Sequence, residues 1–110
     1  EIDQRLAPTD DDLVVDKLTS GAFTATLLDH ALSNMGITGV VVTGVMTDMC
    51  VHGTARTAAE LGYDSLICED ACATLTERAH NEGLLTHARI FGRVASTDDV
   101  ISELIRDDPT

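Results

Sequence analysis

Residues 37–51, "ITGVVVTGVMTDMCV", decide how this chain is read. The run 37–42 is apolar and rich in β-branched side chains, which suits a strand. Within it, residues 39–43 predict a fully buried strand, because the hydrophobicity is continuous rather than alternating. Cys50 follows where a helix should begin. In open parallel sheets ligands bind beyond the carboxyl ends of the strands, where loops lead into helices. Cys50 is therefore either a small core hydrophobe or a nucleophile at the mouth of an α/β sheet.

Working outward, residues 1–11 form a polar lead, and residues 13–15 in "DDLVVDK" predict a short strand that delivers Lys17. Residues 22–35, "AFTATLLDHALSNM", place Phe23, Leu27, Leu28, Ala31, Leu32 and Met35 at helical spacing, and Gly36 supplies a stop. Beyond the opening stretch, a helix is predicted from Met49 or Cys50 to Leu61, ended by Gly62. A strand over 64–69, a loop over 70–75 and a helix over 76–90 follow, the last opened by Thr76 as N-cap and weakened by Gly83. "GRVAS" at 92–96 reads as a short strand. Thr97 is the predicted cap of a final helix whose Asp98 and Asp99 suit the positive helix end, and residues 106–110 are a polar tail.

Strands alternating with helices predict right-handed βαβ units. The expected fold is α/β: one domain over 1–110, a three-layer α/β/α Rossmann-like parallel sheet. About four strands and four helices leave at least one sheet edge open, so an N-terminal half or a partner chain is expected to complete it.

Composition narrows the function. The 110 residues, 44% of them hydrophobic, suffice for one small core. A net charge of -12 repels nucleic acid and anionic membrane, so neither is an expected partner. The acidic start "EIDQRLAPTDDD" does not resemble a signal peptide, no apolar run is long enough to span a bilayer, and a cytoplasmic location is expected. Cys50, Cys68 and Cys72 form no even set and no CxxC pair, which argues for reduced thiols. The Cys-x3-Cys spacing of Cys68 and Cys72, with His80 nearby, matches no zinc pattern; both read as core or loop thiols, and no metal or cofactor is expected.

The chemistry is concentrated at Cys50. A first helical turn offers free N–H groups and the positive dipole end, both of which favour thiolate. Gly44 permits an unusual backbone path, and the N–H groups of Met46 and Cys50 can converge on one oxygen as an oxyanion hole, with Thr47 and Asp48 as cap and support. Lys17, if its strand neighbours that of Cys50, brings an ammonium to the sulfur. Phe23 and Thr26 are read as packing a helix on the sheet, with Phe23 also a candidate wall of the substrate pocket. His52, two residues beyond Cys50, is a candidate pocket or interface residue; His30, His80 and His87 read as surface or subunit-contact residues.

Together, "VVDKLTSGAFTAT", "GVVVTGVMTDMCVHGTARTAAELGY" and "ICEDACAT" resemble the isochorismatase-like cysteine hydrolase superfamily, which includes nicotinamidases, N-carbamoyl-amide hydrolases and ureidoacrylate-type amidohydrolases. The resemblance runs from Asp12 to about Leu104 and covers the C-terminal half to two-thirds of the family fold. It rests on a strand-end lysine, an S-x-A-F-x-x-T run and G-x-x-T-[D/N]-x-C-V-x-x-T-A-R, with Lys17 and Cys50 33 residues apart.

This resemblance implies a Cys-Lys-Asp triad in which Cys50 attacks and Lys17 pairs with the aspartate and assists proton transfer. It also implies a cis peptide at Val45–Met46. The family's aspartate lies upstream in a motif like D-x-Q-x-x-F; this sequence holds no such segment, and Asp3 in "EIDQRL" stands too close to Lys17 to serve. The implied reaction is hydrolysis of a small-molecule amide or carbamoyl C–N bond through a thioester, impaired in this chain by the missing aspartate. Retention of the cysteine favours this over vinyl-ether cleavage of isochorismate. The alternative is a truncated, non-catalytic α/β domain acting as an oligomer or assembly component. A homo-oligomer is expected in either case.

Overall fold

The computed structural model describes residues 2–106, in which three parallel strands stand in the order β1-β2-β3. They are β1 (Gly39–Val45), β2 (Asp64–Ala73) and β3 (Arg93–Ala95). Helices α1 (Leu28–Asn34), α2 (His52–Glu60), α3 (Glu77–Thr86) and α4 (Thr97–Arg106) complete the fold. Two π-helical turns join them, Thr47–Val51 leading into α2 and His87–Phe91 continuing α3.

The sheet lies between two helical layers. On one face Ile67 is fully buried against Val51, Ala55 and Leu84, with Val42 and Val94 beside it. A second cluster on that side joins Phe23, Ala58 and Tyr63 to Leu28, Leu32 and Val40. On the opposite face Leu66 and Cys68 pack against Val100 of α4. This is the three-layer parallel α/β arrangement expected from the alternation of strand and helix patterns.

Gly36 and Gly62 stop α1 and α2 as predicted. Their φ angles, +74° and +99°, lie in the left-handed region that glycine enters without a Cβ clash. In each case the following amide reaches back into the helix, Ile37 to Leu32 O and Tyr63 to Ala58 O, both at 3.0 Å. Thr76 caps α3, its hydroxyl accepting from Ala79 N at 3.1 Å.

Several expectations need correction. Residues 13–15 form no strand; Leu13 and Val14 are exposed and the backbone there is irregular, because no neighbouring strand pairs with the run. α1 starts at Leu28 rather than 22, since Ala25 takes φ +56° and the Thr26 hydroxyl accepts from Leu28 N, ending the irregular stretch where the helix begins. β1 is not fully buried. It is an edge strand of the described sheet and its burial alternates, with Val41 41% and Val45 67% exposed. β2 extends to Ala73 through the segment predicted as loop. Ser96, not Thr97, takes the cap position of α4, its hydroxyl accepting from Asp99 N at 3.2 Å. His87 is fully buried instead of lying at the surface. Of the predicted polar tail, residues 107–110 lie outside the described residues, and Arg106 closes α4.

The extension of β2 has a structural use. Pairing with β1 slips between Val42↔Ile67 and Gly44↔Cys72, so the intervening part of β2 bulges. Asp70 in that segment accepts from Thr97 N at 2.8 Å and Thr97 Oγ1 at 2.6 Å, holding the start of α4. Arg93 fastens the same helix from the other side, pairing with Asp64 of β2 and Glu103 of α4.

The Thr97 hydrogen bonds hold the Asp70 carboxyl below its ordinary value, and Arg93 does the same for Glu103. A carboxylate depressed in the fold contributes stability above its unfolded value and loses it as pH falls through the folded one. The thermal midpoint is therefore expected to hold above the ordinary carboxylate range, around pH 4, and to fall below it. Asp70→Asn, which can still accept from Thr97 but does not titrate, should flatten part of that fall. A midpoint series from pH 6 to pH 3 checks it; equal slopes in the two proteins would remove Asp70 from the explanation.

Candidate active site

At the end of β1 the chain turns abruptly. Gly44 takes φ +117° and the Val45–Met46 peptide bond is cis. Residues Thr47–Val51 then form the π-helical turn that feeds α2. Met46 O accepts from Met49 N and from Val51 N, both at 3.1 Å. Cys50 lies between those two donors, so its position is set by bonds on either side; it is half-buried and free.

Two side chains from beyond β2 hold this turn. Thr47 is fully buried, and its hydroxyl meets His80 Nδ1 at 2.7 Å. Asp48 Oδ1 accepts from Thr74 Oγ1 at 2.7 Å. Parallel pairing makes this arrangement possible, because the segments that follow β1 and β2 leave the sheet at the same end. α3 then lies against the turn at backbone range: a Cβ on Gly83 would come within 3.2 Å of Asp48 Cα. Gly83, a weak helix position by propensity, is what allows that approach.

Met46, Thr47, Asp48 and Cys50 thus come together in one turn. Lys17 stands apart in its bonding: it is exposed, and its Nζ donates to Thr19 O at 2.9 Å and Ser20 O at 3.3 Å within its own loop. Among the described residues it forms no ion pair. The far end of that loop is tied to α2, Ala22 N donating to Thr54 Oγ1 at 3.0 Å. Phe23 is buried and stacks on Tyr63 with ring centroids 5.9 Å apart, so it packs the core; its edge also lines a groove with Val40, Thr43 and Thr54.

His52 packs against His87 and Phe91. Burial, then the neighbouring His87 and Arg56, hold His52 below the usual imidazole value. Cys72, paired with Gly44, is a poor nucleophile because burial raises its thiol, the Gly44 amide opposing this only in part. Sequence reasoning missed Thr74 and the role of His80. The one signal that pointed to them was the order of the βαβ units, which sends both loops to one sheet end.

Residues 1–99 match the model of the Isochorismatase domain. The chain belongs to the isochorismatase family. Its similarity to the isochorismatase family protein YecD of Escherichia coli O157:H7 is 35% identity, covering 90% of this chain and 53% of that protein. Nicotinamidase 3 of Arabidopsis thaliana is 35% identical, over 88% of this chain and 49% of its own length. Ureidoacrylate amidohydrolase RutB of Variovorax paradoxus (strain S110) is 32% identical, over 92% and 40% respectively.

Solved structures agree in fold. An isochorismatase-like hydrolase from Alkaliphilus metalliredigens superposes with a TM-score of 0.88 at 35% identity, covering 94% of this chain and 57% of that one. A cysteine hydrolase from Pseudomonas syringae pv. phaseolicola 1448A gives 0.91 at 29% identity, covering 96% and 55%. This isochorismatase-family chain spans about half the length of the curated relatives it matches. The chain is thus a member of a hydrolase family, with nicotinamidase and amidohydrolase relatives.

Proposed function

We propose that this chain carries the nucleophile of a cysteine hydrolase acting on the C–N bond of a small-molecule amide or carbamoyl group. The observation that carries the reading is the position of Cys50 in a fixed turn at the carboxyl end of β1, between two residues bonded to Met46 O. The Cys50 thiolate adds to the substrate carbonyl carbon. The amides of Met46 and Cys50 receive the oxyanion, in the role the family resemblance implies. The C–N bond breaks as the nitrogen takes a proton, with Lys17 assisting, and an amine or ammonia leaves. Water then cleaves the thioester, giving the acid and the free thiol.

On this reading Lys17 needs a carboxylate to turn it from the carbonyls of its own loop toward the thiol, and the family resemblance implies one in the part of the fold this chain does not span. Full activity on this reading requires that carboxylate. The names of the relatives suggest the test compounds: nicotinamide and ureidoacrylate, with simple N-carbamoyl compounds beside them. Ammonia release from at least one of them by the natural protein is the expected result. Cleavage of isochorismate with no amide turned over would replace this reading with vinyl-ether hydrolysis.

A further inference from the structure

Nothing in the reaction described above uses His80, yet this side chain makes the shortest tie between α3 and the Cys50 turn. Its Nδ1 lies 2.7 Å from Thr47 Oγ1, and Thr47 is fully buried between Met46 and Asp48. A buried hydroxyl without a partner is costly, so Thr47 is held wherever His80 holds it. His80 is itself well fixed. Thr76 caps its helix through Ala79 N, and His80 N donates to Thr76 O at 3.1 Å. One turn further on, Gly83 lets the α3 backbone reach Asp48, and Thr74 binds the Asp48 carboxylate from the strand side.

The turn is thereby gripped at Thr47 and Asp48, two of the three residues between the two proposed oxyanion donors, Met46 and Cys50. Displacement of Thr47 moves the Met46 Cα through the peptide bond the two share, and the Met46 N–H is attached to that same Cα. The thiol of Cys50, tied through Met49 and Val51, moves less.

We propose that His80 is a positioning residue: through its Nδ1 bond to Thr47 it sets the Met46 amide in register with the Cys50 sulfur for acyl transfer. The inference rests on the reading of Cys50 as nucleophile. It requires only a nitrogen or oxygen at the Nδ1 position, and asparagine carries its amide at that distance from the backbone. Glutamine reaches only the Nε2 position.

Two probes separate the oxyanion site from the thiol. p-Nitrophenyl acetate acylates a thiolate through a tetrahedral intermediate: the S–C bond forms, the ester C–O bond breaks and nitrophenolate leaves. Iodoacetamide alkylates the same sulfur by direct displacement of iodide and needs no oxyanion donor. His80→Ala is expected to slow acylation of Cys50 about tenfold or more, since a shift of about 1 Å at a reacting centre costs up to roughly 100-fold. Its alkylation rate should change less than twofold. His80→Asn should recover most of the acylation rate and His80→Gln should not.

Equal slowing with both probes, or equal behaviour of the asparagine and glutamine variants, would show a merely structural role and overturn the inference. Should His80→Ala fail to fold, Thr47→Val removes the same hydrogen bond from the other side while keeping the side-chain shape, and must show the same split. If p-nitrophenyl acetate leaves Cys50 of the unaltered chain unmodified, the nucleophile reading itself fails. If Cys50 is acylated and no split appears, only the role of His80 does.

Discussion

Cys50→Ala is expected to lower amide hydrolysis by about 1000-fold or more, because loss of a nucleophile removes the covalent route altogether. The fold should survive the change. The Sγ of Cys50 makes none of the bonds that shape its turn: those belong to Met46 O, the Thr47 hydroxyl and the Asp48 carboxylate. A chemical-denaturation midpoint within about 1 kcal/mol of wild type is expected for an exchange of one small, half-buried side chain. Rate and stability measured on the same preparation thus separate lost chemistry from lost structure. Undiminished turnover in the variant would remove Cys50 from the reaction.

Gly92→Ala is expected to destabilise the fold severely. A Cβ at Gly92 would fall on Ser65 O and come within 2.7 Å of His87 Nε2. Those two groups are hydrogen-bonded to each other at 3.1 Å and both residues are fully buried. Ser65 is held in turn, its hydroxyl donating to Ala55 O at 2.8 Å. The methyl group has no space unless the His87–Ser65 bond opens. Overpacking of this kind costs about 1–3 kcal/mol, and a buried polar pair left unmatched adds about 1–3 kcal/mol. The total is a large share of the roughly 5–15 kcal/mol that holds a domain together. A urea midpoint far below wild type, or failure to accumulate as folded protein, is the expected result. An unchanged midpoint would mean that the α3–β2 junction yields more readily than its burial indicates.

The elements legible in the sequence are those whose signals are local. β1 declares itself by its β-branched run, α1 and α2 by the glycines after them, and α3 by Thr76. The turn residues Met46 to Cys50 could be placed for the same reason, since strand, turn and helix follow one another without interruption. Residues 13–15 show the limit of such signals. Their apolar run would suit a strand, but strand formation depends on a neighbour to pair with, and none of the described strands takes that place.

Non-local features were hidden for related reasons. The extended β2 arises from a register slip against β1, which no property of residues 70–73 announces. The burial of His87 depends on Ser65 supplying a carbonyl and Gly92 leaving room, residues far from it or lacking a side chain to notice. The Thr47–His80 contact joins positions 33 residues apart. The spacing of Lys17 and Cys50 was visible, but their bonding was not: Lys17 spends its hydrogen bonds on its own loop.

The claim at the centre is a covalent bond between substrate and Cys50, and rapid quench followed by mass spectrometry observes it directly. The natural protein, mixed with the amide it hydrolyses fastest and quenched within a turnover, should carry the acyl mass on the peptide containing Cys50. Cys68 and Cys72 should stay unmodified, and the Cys50→Ala variant should carry nothing. Product formation with the Cys50 peptide unmodified at every quench time, and equal turnover in Cys50→Ala, would contradict the thioester route.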